Sequence, residues 1–425
     1  MDNKDYRPRM QDSLIKELLG SFGAVCIEGP KWCGKTWSAT HHAASVISLG
    51  NPDGNFSNRT MAQLDPRAVL SGDTPHLVDE WQEVPAIWDA VRYRVDEVGK
   101  PGQFLLTGSS TPTHKGVMHS GAGRIASLRM RPMSLFESGD SSGAVSLSSL
   151  TEGDLPVQPT GEVSLAHLIE LVVRGGWPGN LGLTLRQASQ LPMRYLDAVL
   201  NDDLYRMDGV QRNLGKMKLL LRSLARHEST LVSNATLRRD IKEKDDDELN
   251  VNTIAGYLDV LGRLFLTDNQ PPFGLQLRSK ARVQQAEKRH LADPSLACAL
   301  LRATPQKLQQ DLNTFGFLFE AMVERDLRVY AEAHGGRLYH YRDDGGKEID
   351  AIVEWNDGRW IAVEIKLGAH EIETAAANLR SIRKDIMEHN PKNAPAALLV
   401  VCGMSHAAYK RPDGVMVVPP TALRD

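Results

Sequence analysis

Two groups of residues in this chain have the types and spacing that phosphate chemistry needs. The first is GPKWCGKT, residues 29–36, which fits the pattern G-x-x-x-x-G-K-[ST]. Glycines there let the backbone fold so that N–H groups point at phosphate oxygens, at a helix start that already favours anions. Gly29, Pro30, Lys31, Trp32, Cys33 and Gly34 would form the cradle. Lys35 would reach the β- and γ-phosphates, and the Thr36 hydroxyl would join a Mg2+ shell. HLVDEW (76–81) supplies the second half, with Asp79 at a strand end holding Mg2+ through water and Glu80 polarising the attacking water. LLTGSS (105–110) adds Thr107, with Ser109 and Ser110, as candidates for sensing the γ-phosphate, a polar turn being the alternative. Arg124, Arg129 and Arg131 in GRIASLRMRPMS are candidates for an arginine finger, in cis or from a neighbouring subunit of a homo-oligomer. ATP with Mg2+ is the expected cofactor.

The second group lies in KEIDAIVEWNDGRWIAVEIK, residues 347–366. Ile349, Ala351, Val353 and Trp355 share one face of a first strand. Ile361, Val363, Ile365 and Leu367 share one face of a second. A three-residue loop, Asn356-Asp357-Gly358 with Gly358 left-handed, sets Trp355 against Arg359, Val353 against Ile361, Ala351 against Val363 and Ile349 against Ile365. That register puts Asp350 across from Glu364, with Lys366 two residues further on the same face. Like charges directly opposed in a sheet are destabilising, and a divalent cation bound by Asp350 and Glu364 is the simplest compensation. The alternative is a surface hairpin with an Asp–Lys–Glu ion cluster.

Composition bounds what these residues belong to. The chain has 425 residues, 41% hydrophobic and 24% charged, with net charge −3. That is ordinary globular composition, enough for two to four domains at roughly 100–200 residues each. Near-neutral charge excludes a uniformly basic nucleic-acid binder and leaves local patches as the means of contact; RSKARVQQAEKRH (278–290) is the best of them. No apolar run approaches the ~18 residues of a membrane span, and MDNKDYRPRM lacks a signal-peptide core, so a soluble, cytoplasmic protein with no membrane partner is expected. Cys26, Cys33, Cys298 and Cys402 are too few and scattered for a disulfide framework or a zinc site.

The elements that must position these residues follow in order. Residues 1–137 alternate short apolar runs with helical stretches, and GAVCIEG, HLVDEW and QFLLTGSS read as buried parallel strands of a P-loop ATPase domain. Residues 138–164, rich in Ser and Gly, read as a linker or insertion. Residues 165–224 are a helical lid or connector interrupted by RGGWPG. Residues 225–275 read helix, turn, helix, strand, a winged-helix-like unit with 251–263 in the recognition position. That helix offers only Asn252, Thr253, Asp259 and Arg263, and the acidic run before it repels phosphate, which favours a scaffold over a DNA reader. Residues 276–425 are mixed α and β, with the hairpin, a helix over 372–389 and the strand APAALLVVCG.

Together EGPKWCGKT, HLVDEWQEVPAIWDAVR, LLTGSS, GRIASLRMRPMSLFE, RGGWPG and NVNTIAGYLDVLGRLFL resemble a large prokaryotic family that pairs an AAA-type ATP-binding domain with a C-terminal domain of unassigned function. The resemblance runs over nearly the whole chain. It implies an AAA/ASCE-type, additional-strand parallel sheet, then a restriction-endonuclease-like core, and brings no agreed biological role. Asp350 followed by Glu364-x-Lys366 resembles the PD-(D/E)xK nucleases, as does the order helix, hairpin, helix, with Glu320 falling where their helix glutamate does. Ile349 stands where that pattern has proline. The resemblance implies that Asp350 and Glu364 bind one or two Mg2+ ions, that Lys366 orients or deprotonates water, and that Glu320 holds a metal-bound water or a second ion. The expected function is thus an ATP-hydrolysing protein with a Mg2+-dependent, nuclease-like domain acting on nucleic acid, DNA more than RNA. The alternative is an ATPase switch, assembly or defence-related factor whose C-terminal domain binds nucleic acid or protein without cleaving it.

Overall fold

The computed structural model describes residues 6–110, 117–205, 209–210, 212–242, 251–276, 278–343 and 345–425. The acidic run expected ahead of residue 251 falls on 243–250, outside the described residues. The N-terminal part is a five-stranded parallel sheet of β1 (Ala24–Glu28), β2 (Ser45–Ser48), β3 (His76–Asp79), β4 (Phe104–Gly108) and β5 (Ile125–Arg129), in the order β2-β3-β4-β1-β5. β1, β3 and β4 are the three apolar runs read from the sequence, and all but Glu28 is buried in them, as a parallel sheet covered on both faces requires. β4 intervenes between β1 and β3, so the strand carrying Thr107 lies between the strand that leads into 29–36 and the strand that ends in Asp79. All three therefore open at the same carboxyl edge, where ligands of open α/β sheets bind.

Residues 138–164 are not a solvated linker. β6 (Val145–Ser146) pairs with β14 (Leu423–Arg424) at the chain's end, and β7 (Gln158–Pro159) extends the edge of the C-terminal sheet through β12 (Ala407–Lys410). The Ser141 hydroxyl donates to Leu423 O at 2.5 Å, and Leu147 N–H to Arg424 O at 2.8 Å. Val145, Leu147, Leu150, Leu155 and Val163 are buried. Their irregular spacing matches neither a helix nor a strand period, which hid them in the sequence.

Beyond this strap one apolar core runs from Leu135 to Leu423. In its middle part the helix Leu214–Arg226, a bridge at Thr230, the helices Asn234–Lys242 and Val251–Arg263, and bridges at Thr267 and Gln270 follow in order. Those bridges pair with Arg289, Leu291 and Lys288. The C-terminal part begins with the helix Leu312–Ala333, whose start Asp311 caps by accepting Thr314 N–H at 3.0 Å. β8 (Arg337–Arg342), β9 (Glu348–Glu354) and β10 (Trp360–Lys366) then form an antiparallel meander. The helix Ile372–His389 crosses over to β11 (Ala397–Cys402), parallel to β10. β12 and β13 (Met416–Val418) complete the sheet in the order β7-β12-β13-β11-β10-β9-β8. Ala351, Val353, Ile361, Val363 and Ile365 face the helix Leu312–Ala333, whereas Ile352, Trp360 and Ala362 face the helix Ile372–His389. Among the described residues no helix is long and apolar enough to cross a membrane.

The hairpin register is the expected one: Val353 pairs with Ile361 and Ala351 with Val363, and the turn closes with Gly358 at φ +85°. The pairing stops there. β9 carries an irregularity opposite Tyr339–Tyr341 in β8, and Ile349, expected beside Ala351, packs instead with Ile352 in the opposite layer. An extra residue in one strand of a pair turns the chain in this way. Asp350 sits at this irregularity within β9, so it does not continue the ladder with Glu364.

The strap gives a direct test. Leu150→Ala, at a fully buried position, should cost about 2–5 kcal/mol in urea denaturation. A solvated linker would register under about 0.5 kcal/mol.

Candidate active sites

Residues 29–36 fold tightly against β5. Gly29 has φ +153°, and a Cβ there would lie 2.1 Å from Met130 O, so no other residue fits. Gly34, at φ +103°, leads into the helix Lys35–His42. The Lys35 ammonium donates to Gly29 O at 2.9 Å and Pro30 O at 2.8 Å. Cys33 is buried, and its carbonyl accepts Arg9 Nη1 at 2.7 Å; Arg9 also grips Arg131 O and Glu137. Lys31 pairs with Asp203 at 2.6 Å, and the Trp32 ring, 56% exposed, lies 5.8 Å from Tyr195. Segment 191–205 thereby approaches the loop from the helical region.

Asp79 is the hub of this site. Its Oδ1 accepts the Thr36 hydroxyl at 2.8 Å and the Thr107 hydroxyl at 2.6 Å, while Oδ2 accepts Ser48 Oγ at 3.1 Å. Thr107 Oγ1 in turn accepts Glu80 N–H at 3.1 Å, fixing Glu80 in a left-handed conformation at φ +59°. The Glu80 carboxylate accepts from Gln82 Nε2 and from Ser109 Oγ at 3.3 Å. Thr36, Asp79, Glu80 and Thr107, predicted separately, thus form one connected group. Ser48 and Gln82 were missed. Gln82 lies two residues beyond Glu80, a local signal; Ser48 comes from β2, whose short run carries none.

The arginines require correction. Arg124 precedes β5 at the sheet's amino edge and pairs with Asp96 at 2.9 Å. A whole strand separates it from the phosphate-binding edge, roughly 16 Å at ~3.3 Å per residue, so it is no arginine finger in cis. Arg129 and Arg131 stand at the right edge but turn toward Asp268, at 3.1 and 2.5 Å, and Arg131 also pairs with Glu332.

The second site lies where β9 and β10 diverge. Asp350 Oδ2 accepts the Ile365 N–H at 2.8 Å and the Lys366 ammonium at 3.0 Å, and Lys366 reaches Glu364 Oε2 at 2.7 Å. Asn378, on the helix Ile372–His389, donates to Glu364 Oε1 at 2.8 Å. Glu320 belongs to this group, but its partner is Lys288, which also reaches Glu324 at 2.8 Å and Asp350 O at 3.2 Å. Lys288 and His290 come from the 278–290 patch expected to face phosphate, and both point inward and are buried. Lys288, Glu324 and Asn378 were missed. Glu324 had a legible signal, one helical turn after Glu320; Lys288 and Asn378 arrive only through tertiary packing.

Charge in this pocket is finely opposed. Burial, then the charge on Asp350, pushes the Glu364 carboxyl up to about 7. Burial likewise lifts Glu320 to about 8 against the pull of Lys288. Burial also opposes ionisation of Asp350, yet Lys366 and Lys288 hold it below the usual carboxylate range. Lys366 is raised because Asp350 and Glu364 outweigh its desolvation. A cleft of about 770 Å3 opens beside the cluster, lined by Phe317, Glu320, Lys366, His370, Glu371 and His406 among others. Among the described residues no three His, Cys, Asp or Glu side chains are grouped to hold a metal ion. As arranged, Lys366 pairs with Asp350 and Glu364, and Lys288 with Glu320 and Glu324.

Comparison with known proteins bears on the N-terminal domain. Residues 21–138 match a family model described as an AAA domain, so this region is a P-loop domain of AAA type. Residues 165–307 and 315–423 match two domains of unknown function, DUF8612 and DUF4143. The uncharacterized proteins Rv2008c of Mycobacterium tuberculosis and Mb2031c of Mycobacterium bovis are each 24% identical over 359 residues, covering 83% of this chain and 72% of theirs. Among solved structures, the Walker-type ATPase PABY2304 of Pyrococcus abyssi aligns with TM-score 0.43 and 14% identity, over 70% of this chain and 97% of that one.

The raised carboxyls fix a pH dependence. The folded protein holds protons on Glu364 and Glu320 that the unfolded chain releases near 4.5, so this contribution is full below about pH 4.5 and is lost as pH rises through about 7 and 8. Glu364→Gln should therefore flatten the decline in stability between pH 4.5 and 7, read from urea midpoints across that range. An unchanged slope would mean that Glu364 is not held neutral by its surroundings.

Proposed function

We propose that this protein is a Mg2+-dependent ATPase whose nucleotide cycle governs a C-terminal, nuclease-like module that engages nucleic acid, DNA in preference to RNA. The single observation carrying the ATPase reading is the Asp79 hub, which collects the Thr36 and Thr107 hydroxyls at 2.8 and 2.6 Å at the carboxyl edge of the sheet. The donor set suits a hard cation: a carboxylate and a hydroxyl side by side, next to a loop whose Gly29 leaves no room for a Cβ. Thr36 and Asp79 would hold Mg2+, which when bound neutralises charge on the phosphates. The loop N–H groups and Lys35 bind the β- and γ-phosphates. Glu80, its main chain held by Thr107 and its carboxylate steered by Gln82 and Ser109, orients the attacking water and accepts its proton. Arg129 and Arg131 are committed to Asp268, which favours a finger donated by a second copy of the chain and hence a homo-oligomer.

For the C-terminal module, the support is the order helix, three-stranded meander, helix, parallel strand, with Glu320 and Lys366 lining a cleft and Lys366 paired behind it with Asp350 and Glu364. The helices 234–242 and 251–263 with the bridges at 267–270 and 288–291 suit a winged-helix-like neighbour. The carboxylates do not fit a divalent cation as they stand, each already paired with an ammonium group. No cleavage step is therefore derived, and that pairing favours the second reading, in which the module binds nucleic acid without cutting it.

Two measurements test this. Phosphate release from ATP should be abolished in Lys35→Ala and fall about 10²–10⁴-fold in Glu80→Gln; retention of turnover in both sinks the ATPase reading. Plasmid, linear and single-stranded DNA with Mg2+ or Mn2+, with and without ATP, test the module. Cleavage lost in Asp350→Ala and Glu364→Ala supports a nuclease, salt-dependent binding without cleavage supports the second reading, and absence of both removes nucleic acid from the function.

A further inference from the structure

Between the nucleotide-binding sheet and the helix Leu312–Ala333 lies a cavity of about 490 Å3 whose lining includes Arg129, Arg131, Asp268, Arg328, Glu332 and Arg337. Its volume is in the range of small-molecule sites. Its charge is unbalanced, with four guanidinium groups against two carboxylates. Asp268 answers three of them, accepting Arg129 Nη1 at 3.1 Å, Arg131 Nε at 2.5 Å and Arg328 Nη1 at 3.0 Å. Glu332 takes the far side of Arg131. Arg129 Nη2 donates to Thr267 O at 2.8 Å. Arg328 is only 6% exposed, yet among the described residues its Nη2 has no hydrogen-bond partner, and the buried Nε of Arg129 has none either. Burial, together with repulsion from Arg131 and Arg328, lowers the pKa of Arg129 despite the neighbouring Asp268.

A buried donor without an acceptor and a surplus buried charge are both costly. One kind of occupant answers both. We propose that this cavity is a binding site for a small anion carrying phosphate groups. Planar guanidinium forks match the several acceptor oxygens of a phosphate, which can meet the open edges of Arg129 and Arg328 on both walls at once. The walls belong to different parts of the chain: Arg129 and Arg131 follow from β5, beside the phosphate-binding loop, and Arg328 lies on the helix that carries Glu320. A ligand here would bridge the ATPase domain and the carboxylate-bearing helix, a site distinct from both described above and independent of whether the C-terminal module cleaves.

The test is calorimetric titration of the full chain with inorganic pyrophosphate, in a Lys35→Ala background so that the nucleotide loop lacks its phosphate-binding charge. Saturable binding is expected, weakened about tenfold or more by Arg328→Gln. Should that buried substitution unfold the protein, Arg337→Gln, at an exposed rim position, should weaken binding in the same direction. No saturable binding in the Lys35→Ala protein, or equal affinity in the arginine variants, overturns the site. Equal affinity for succinate overturns its assignment to phosphate.

Discussion

A single turn-by-turn stripe on one helix holds both sites in relation to each other. Glu320, Glu324, Arg328 and Glu332 recur every fourth residue along Leu312–Ala333, so successive members lie near one another on its surface. The first two grip Lys288, the third grips Asp268, and the fourth grips Arg131. A charged side chain taken out of water costs several kcal/mol unless a partner is in place. The partners come from everywhere the helix must touch: β5 of the nucleotide domain, the bridge at Thr267–Gln270 and the bridge at Lys288. At 1.5 Å per residue the stripe spans about 18 Å, and the positions of the two sites are fixed relative to each other by its pairings.

This constraint explains why the carboxylate cluster is neutralised from within. Asp350, Glu364, Glu320 and Glu324 converge largely out of water beside the cleft, and like charges there cannot all ionise unaided. Lys366 arrives on the same strand as Glu364, whereas Lys288 is supplied by the middle part of the chain. Half of the neutralising charge is therefore imported across a packing boundary. The cluster is correspondingly a property of the assembled chain and not of the hairpin alone.

What was legible in the sequence follows the same division. The loop 29–36, the strands ending in Asp79 and Gly108, the helix Ile372–His389 and the hairpin register are written in local patterns of period and turn chemistry, and they stand where local physics puts them. The irregularity that turns Ile349 to the other layer, the strap 145–159 sewn to the chain's last residues, and the inward turn of Lys288 and His290 depend on partners more than a hundred residues away or on packing that no local period encodes. Arg124, Arg129 and Arg131 show the limit most clearly. Their spacing suggested phosphate chemistry, but which edge of a sheet an arginine reaches is decided by strand direction, and which acid it meets by the fold.

Buried ion pairs also constrain how the nucleotide site could influence the rest. An apolar contact tolerates a small slide with small loss, but a guanidinium moved by the length of a hydrogen bond leaves an unpaired charge in a low-dielectric seam. Arg131 sits two residues beyond β5, and β5 pairs with β1, which runs straight into the phosphate-binding loop. Any rearrangement of that loop large enough to shift β5 must either keep all three arginines on Asp268 or exchange them for another complete set of partners. Intermediate positions are the expensive ones. A seam built in this way favours two discrete arrangements over a graded response, which is the physical requirement for a nucleotide-driven switch.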